Sequence, residues 1–496
     1  MRALIQAEWT KFRTVPGWVI GMAIGGVLIV AFGLLPGIQG SCGQPGSGSE
    51  CVLPVGPEGQ EVSDGFMFVH RPLSGDGSIT ARVASMTGML PPGPNDDKMR
   101  EGVAPWAKAG LLIKDGTTQG SAYAAVMLTG AHGVRLQHNF VHDKAGKPGP
   151  PGSARWLRLT RTKEKITAEE SADGTTWTTV GTVTLAGLPQ TVQIGLFVTS
   201  PQHAEGANES LGSFGSYGGP TMATAVFDHV TPVGSLTGTR IGGPANKYAD
   251  ELGGFEETGE GVFTITGTGD IAPAVGGPAG IGASISDTLL GTFAGLIMVV
   301  VISTMFVTAE YRRGMMRTTL AASPRRGRVL VAKAAVVGAV SFVVGVLAAA
   351  VVITLGQKVL RDNGAYVHLA STATELRVIV GTGVLLGVTA MLAVGLGALL
   401  RRGTTAVTVA IVTTALPYLL VMSVLPPTAG QWLLRIAPAA AFSMQQSLVE
   451  YEQVANLYLP VDGYFPLSPL AGGAVLAGWA VAALVAAACF LRRRDA

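Results

Sequence analysis

The sequence predicts a multi-pass α-helical membrane protein of six transmembrane helices, with an all-β sandwich inserted as an ectodomain after the first. Three observations carry that prediction. Only 14% of the 496 residues are charged while 48% are hydrophobic, against about 25% charged in an average soluble domain. The apolar residues gather in six runs of about 20 residues, which as helices at ~1.5 Å per residue cross a ~30 Å hydrocarbon layer. Between the first two runs, from Gly37 to Ser286, the composition shifts to Gly, Thr, Ser and Pro and the apolar pattern shifts to period two.

The elements follow in order. Residues 1–16, "MRALIQAEWTKFRTVP", place Leu4, Ile5, Trp9 and Phe12 near one helical face beside Lys11 and Arg13. That pattern suits an amphipathic helix on the inner membrane surface, ended by Pro16; the alternative is a frayed, solvated terminus. The first span is expected at 17–37. Its apolar run exceeds a signal-peptide core and lacks a small-x-small cleavage site, so it is expected to be retained. A Gly/Pro/Ser-rich stalk over 38–60 carries Cys42 and Cys51. Paired as a disulfide they would mark an oxidising compartment; the alternative is two free thiols.

Strands such as "ITARV", "AYAAVML", "VRLQHNF", "WLRLT" and "TVQIGLFV", parted by turns such as "SADGTT" and "KAGKPGPPGS", place a β-sandwich at 61–233. In "VRLQHNF", Val134, Leu136 and Phe140 are expected on one face. Residues 234–286 read as a linker, in which "VFTITGTGDI" could add one strand. The later spans are expected at 287–309, 334–356, 377–400, 404–426 and 468–491. They are joined by a loop at 310–333, an external segment at 427–467 with a short helix, and a tail at 492–496.

Orientation follows from the short loops. Arg2, Lys11 and Arg13, the seven cations of Arg312–Lys333, Arg401–Arg402 and Arg492–Arg494 all fall on one side. Cations collect in the cytoplasm, so both termini and the 310–333 loop are expected inside and residues 38–286 outside.

Several functions are excluded or weakened. No GxxxxGK[ST] occurs; "AGKPG" lacks its upstream glycine and hydroxyl, and "PLSGDGS" lacks the features of an ATPase signature loop. The chain is therefore not expected to hydrolyse ATP, and no catalytic residue, cofactor, metal or nucleic-acid partner is expected. His138 and His142 would share a strand face, but no third metal ligand stands near them in sequence. "SADGTTW" resembles a sugar-enzyme turn one residue short and reads better as a tight hairpin beside Trp177. Glu169 and Glu170 alternate faces, so they cannot flank one glycosidic bond. Within the spans, acids and bases occur only at edges, as at Glu310 and Arg377. An apolar lining with Ser and Thr suits a hydrophobic or amphipathic substrate.

The loop "EYRRGMMRTTLAASPRRGRVLVAK" says more than orientation. Glu310, Tyr311, Arg312, Gly314, Arg317, Thr318, Thr319, Leu320, Ser323, Pro324, Arg326 and Lys333 resemble the first cytoplasmic loop of permease subunits of type-two ABC exporters. The N-terminal helix, the six-span plan and "WLLRIAPAAAFSMQQSL" before the last span are similar too. The resemblance implies a separate cytoplasmic ABC ATPase subunit and a second permease chain, identical or similar. It also implies that Glu310, Arg312, Arg313, Arg317, Pro324, Arg325, Arg326 and Arg328 couple to the ATPase. "DGFMFVHRPLSGDGSITARV", "AKAGLLIKDG", "HGVRLQ" and "RWLRLTR" resemble an actinobacterial concanavalin-like (laminin-G-like) jelly roll. Such modules commonly take an extracellular glycan ligand. The rival reading is accordingly a membrane-tethered protein that binds or senses cell-wall carbohydrate.

Overall fold

Among the described residues, six helices are long and apolar enough to cross a membrane, and they pack around one shared apolar core. The computed structural model describes residues 1–35, 52–93, 96–150, 152–208, 214–232, 235–242, 253–259, 261–312, 314, 326–423 and 425–494. The helices are α1 (Arg2–Thr14), α2 (Pro16–Gly33), α3 (Thr292–Arg312), α4 (Arg326–Asp362), α5 (Thr372–Leu400), α6 (Gly403–Thr414), α7 (Leu416–Ser423), α8 (Pro427–Ile436) and α9 (Pro469–Arg494). Val15 is extended, and Pro16 opens α2, where its missing N–H costs nothing and its φ is already helical. Ser371 caps α5, its side chain accepting from the Thr374 N–H. Arg401 closes that helix in the left-handed region at φ 58°.

The fifth span, expected as one run over 404–426, is divided at Ala415 between α6 and α7. Pro417 has no N–H for the Thr413 carbonyl, which breaks the ladder. The Thr413 and Thr414 hydroxyls fold back onto the carbonyls of Val409 and Ala410. Helices α4 and α5 approach through glycine. A Cβ on Gly345 would meet Gly383 Cα at 3.0 Å, and one on Gly387 would meet Gly338 O at 3.0 Å. Close backbone packing of this kind replaces the hydrophobic effect, which is absent between helices in lipid.

The inserted region is all β. Its strands in chain order are β1 Val62–Asp64, β2 Phe66–Ser74, β3 Gly77–Leu90, β4 Arg100–Glu101, β5 Lys108–Lys114, β6 Tyr123–Thr129, β7 Val134–His138, β8 His142–Ala145, β9 Arg155–Thr162 and β10 Lys165–Ser171. They continue as β11 Thr178–Thr184, β12 Thr191–Thr199, β13 His203–Asn208, β14 Phe214–Gly219, β15 Met222–Thr231, β16 Thr237–Ile241, β17 Gly254–Gly259, β18 Val262–Gly267 and β19 Ile271–Pro273. One sheet runs β16-β2-β12-β5-β6-β7-β8 and the other β11-β10-β9-β3-β15-β18-β17, with β4 against β3. Val69, Leu111, Val126 and Leu196 of the first pack on Ile79, Leu157, Ile166, Phe227 and Ile265 of the second.

The first sheet is buried on its other face as well, where its Phe66, Phe68, Leu112, Tyr123 and Phe197 cluster with Phe140, with Val62 of β1 and with Ile271 of β19. This is why every residue of β5, "KAGLLIK", is buried. Phe140 does not share the face of Val134 and Leu136. Asn139 and Phe140 turn the chain at φ 47° and 70°, and the ring swings into this second cluster. Among its described residues, the stretch expected as a linker carries four strands. Its β16 pairs with β2, β17 and β18 extend the second sheet from β15, and β19 pairs with β1. Alternation explains β18, where Phe263 and Ile265 enter the core.

Candidate coupling site at the base of the bundle

The basic segment begins and ends on a buried charge cluster. Helix α1 turns Glu8 and Phe12 inward and leaves Ile5 and Trp9 exposed, so the apolar face read from sequence is split. Glu310 stands near the end of α3, and Lys333 lies in the early turns of α4. Lys333 Nζ donates to Glu8 Oε2 at 2.7 Å and to Glu310 Oε1 at 2.6 Å. Lys11 Nζ donates to Glu310 Oε1 at 2.5 Å and to Glu8 Oε1 at 3.2 Å. The four residues close a ring of alternating sign with no net charge.

Burial makes the ring consequential. The Lys333 side chain is 0% exposed and that of Glu310 3%. An isolated charge there would carry a desolvation penalty of several kcal/mol; the ring supplies each charge with two opposites. The Lys333 ammonium also lies 5.2 Å from the Phe306 ring centroid, a cation–π contact. Phe12 and Trp18 meet the same ring edge-on. Lys11, partly exposed, sits at the rim. Burial pushes its pKa down, but the hydrogen bond and charge of Glu310, and then Glu8, outweigh that and hold it above the ordinary lysine value. Arg401, in the turn between α5 and α6, packs over the Tyr311 ring at 5.3 Å. The C-terminal parts of α1, α3 and α5 and the early turns of α4 therefore meet at one junction.

Of the sequence-predicted site residues, the structure brings Glu310 into the ring. Arg312, at the end of α3, and Arg328, in the first turn of α4, are exposed. Arg326 opens α4, and its side chain lies outside the described residues. Arg313, Arg317, Pro324 and Arg325 also lie outside them, as do Cys42 and Cys51. Sequence reasoning missed Glu8 and used Lys11 only as an orientation signal. The available clue was Glu8 itself, the single acid among residues 1–18, placed three before Lys11.

In the sandwich, the His138 and His142 rings stack at 4.4 Å, and His142 Nε2 lies 2.6 Å from Glu58 Oε1. Among the described residues no three His, Cys, Asp or Glu side chains are grouped to hold a metal. Glu169 accepts from Arg158 Nε at 2.7 Å, while the buried Glu170 accepts from the Lys147 N–H at 2.6 Å. The two carboxylates are separately engaged. In "SADGTTW", Asp173 accepts from the N–H groups of Thr175 and Thr176, and these bonds hold its carboxyl well below the usual range. That is a turn.

Comparison with known proteins supplies the family. A family model described as "ABC-2 family transporter protein" matches residues 137–496. The chain belongs to the ABC-2 transporter family. It is accordingly a membrane subunit of an ABC transporter, and the match includes α3, α4 and the basic segment between them. No curated protein matches the chain. Among solved structures, SCP-B, a member of the eqolisin family of peptidases in a complex with a tripeptide, is 10% identical and covers 42% of this chain and 98% of its own, at a TM-score of 0.25. Scytalido-glutamic peptidase with a transition-state analogue is 11% identical, with 42% and 98% coverage and a TM-score of 0.24. Sheep galectin-11 in complex with glycerol is 10% identical, covering 26% and 90% at 0.16. At these scores the likenesses carry no argument.

Proposed function

We propose that this ABC-2 subunit is the permease of an exporter for a hydrophobic or amphipathic substrate, driven by a separate cytoplasmic ATPase and working with a second permease chain. Both termini and the 310–333 loop lie in the cytoplasm in this reading, and residues 38–286 lie outside. The ring Glu8–Lys333–Glu310–Lys11 is the observation that carries it. A loop that docks on a moving ATPase must be anchored at both ends to the helices it drives. Here the acid that opens the loop, Glu310, and the lysine that closes it, Lys333, are bound to each other and to α1. Displacement of the loop would therefore move α1, α3 and α4 together, and through Tyr311 and Arg401 the start of α6. Arg312, Arg313, Arg317, Pro324, Arg325, Arg326 and Arg328 are the expected docking residues, since guanidinium forks suit carboxylates and carbonyls on a partner.

The ectodomain is read as a concanavalin-like, laminin-G-like jelly roll, which two face-packed antiparallel sheets support. A tethered glycan receptor is the weaker reading, because one span suffices as an anchor and six candidate spans share a packed core here. The deciding experiment is copurification with the ABC ATPase expressed alongside this chain. Arg317→Gln with Arg326→Gln leaves enough cations to orient the loop and removes two charge-assisted contacts of about 1.5–3 kcal/mol each. Recovery of the ATPase should fall by about tenfold or more while insertion stays normal. Unchanged recovery with unchanged ATP turnover would exclude the loop as the coupling element.

A further inference from the structure

Helix α4 is charged at its two ends and apolar between them. No charged residue lies between Lys333 and Lys358. That stretch is about 37 Å of helix at ~1.5 Å per residue, enough to cross the ~30 Å hydrocarbon layer and emerge among the headgroups. Lys333 is held in the buried ring, whereas Lys358 is exposed. At the Lys358 end, which leads into the 363–371 loop, α4 and α5 no longer meet through glycine as they do at Gly345 and Gly383. Side chains bridge them instead. Gln357 Nε2 donates to Glu375 Oε1 at 2.9 Å, and Arg361 Nη2 donates to Gln357 Oε1 at 3.2 Å. A pocket of about 350 Å³ lies there, lined by Thr354, Gln357, Lys358, Arg361, Asp362 and Glu375.

The lining is polar throughout and carries two cations and two carboxylates. Snorkelling at a helix end accounts for Lys358 and Arg361, but not for carboxylates sharing their pocket. Toward the membrane interior the same stripe of α4 turns apolar, and Val351, Leu347 and Val343 are exposed along it. Steps of three and four keep these residues in line with Thr354 and Lys358. A matching ligand therefore needs an anion for Lys358 and Arg361, a cation with N–H donors for Asp362 and Glu375, and an apolar tail for the stripe. A choline headgroup has no N–H to donate, and a glycerol headgroup has no cation.

We propose that the α4–α5 pocket is a binding site for a phospholipid whose headgroup carries a primary ammonium. The phosphate sits on Lys358 and Arg361, the ammonium on Asp362 and the free oxygen of Glu375, and an acyl chain lies along Val351, Leu347 and Val343. Each polar contact is a charge-assisted hydrogen bond, the stronger kind. A bound headgroup ties α4 to α5 at the level where their backbones no longer touch. The site requires only that these helices are spans; it does not depend on the exporter reading or on which side of the membrane the pocket faces.

The test uses the full-length protein in detergent micelles holding equal amounts of phosphatidylethanolamine, phosphatidylcholine and phosphatidylglycerol. Lipid retained per folded chain after size exclusion is identified by native mass spectrometry. The wild type should retain phosphatidylethanolamine over each of the others by about tenfold, the effect of about one charge-assisted hydrogen bond. Lys358→Gln should lower that retention by about tenfold, and Asp362→Asn with Glu375→Gln should remove the preference over phosphatidylglycerol. Equal retention of the three lipids by the wild type overturns the proposal without any variant, as does a preference that survives Asp362→Asn with Glu375→Gln. Displacement by equimolar soluble glycerophosphoethanolamine would make this a site for a free headgroup and overturn the lipid. A disulfide between two chains through Leu347→Cys, not formed by the parent, would show the stripe covered by a second copy of this chain and overturn it too. No ATPase enters these measurements, so their failure is distinguishable from failure of the exporter reading.

Discussion

Replacing Lys333 by Met keeps the volume near α4 and removes one charge from the ring at the base of the bundle. In the native ring two carboxylates face two ammonium groups, and Lys333 is the fully buried cation that touches both acids. Its loss leaves Glu8 and Glu310 sharing the partly exposed Lys11, with one unbalanced negative charge in a desolvated site. Removing one partner of a buried pair costs about 3–5 kcal/mol. The loss falls on the docking of α1, because Glu8, Lys11 and the Phe12–Phe306 contact are what α1 presents to the bundle. Trypsin cleavage after Arg13 reads that docking, since proteolysis follows the population of the opened form when opening is fast. At about 1.4 kcal/mol per decade, cleavage should accelerate by about a hundredfold or more. Adding Glu310→Leu returns the cluster to neutrality with Glu8 and Lys11 still paired, and should recover most of the protection. Wild-type cleavage in Lys333→Met, or equal cleavage in the single and double variants, would refute the ring as the element that holds α1.

Two further outcomes are expected. A cysteine introduced at Lys147 should react with an impermeant thiol reagent on intact cells and one at Arg325 should not; the reverse pattern would invert the proposed orientation. Lys114→Met should strip Asp64 of its buried ammonium, destabilising the sandwich by about 3–5 kcal/mol in denaturant, whereas Lys114→Met with Asp64→Leu should recover part of that loss; unchanged stability of the single variant would show that the pair does not anchor β1.

The pattern of solvent preference was legible along the chain, residue by residue. Uncharged runs marked the six candidate spans, and period-two alternation marked strands such as β3, β9 and β12, because each side chain carries its own transfer free energy and the backbone repeat sorts it. The break in span five was written in Pro417 beside Thr413 and Thr414, though hydropathy averages over it. The two covers on the first sheet were less legible: Lys108 and Lys114 look like solvent-facing ends of β5, and only a second layer brings Asp270 and Asp64 to bury them. The coupling site shows the same limit. Glu310 and Lys333 were found through a local motif, though not as partners of each other, while Lys11 was indistinguishable from an orientation charge. Tertiary structure decided their role, because whether a lysine is solvated or buried against two carboxylates depends on partners 325 and 23 positions away for Lys333. A charge states its sign in the sequence; the dielectric around it and the distance to its opposite exist only once helices have packed.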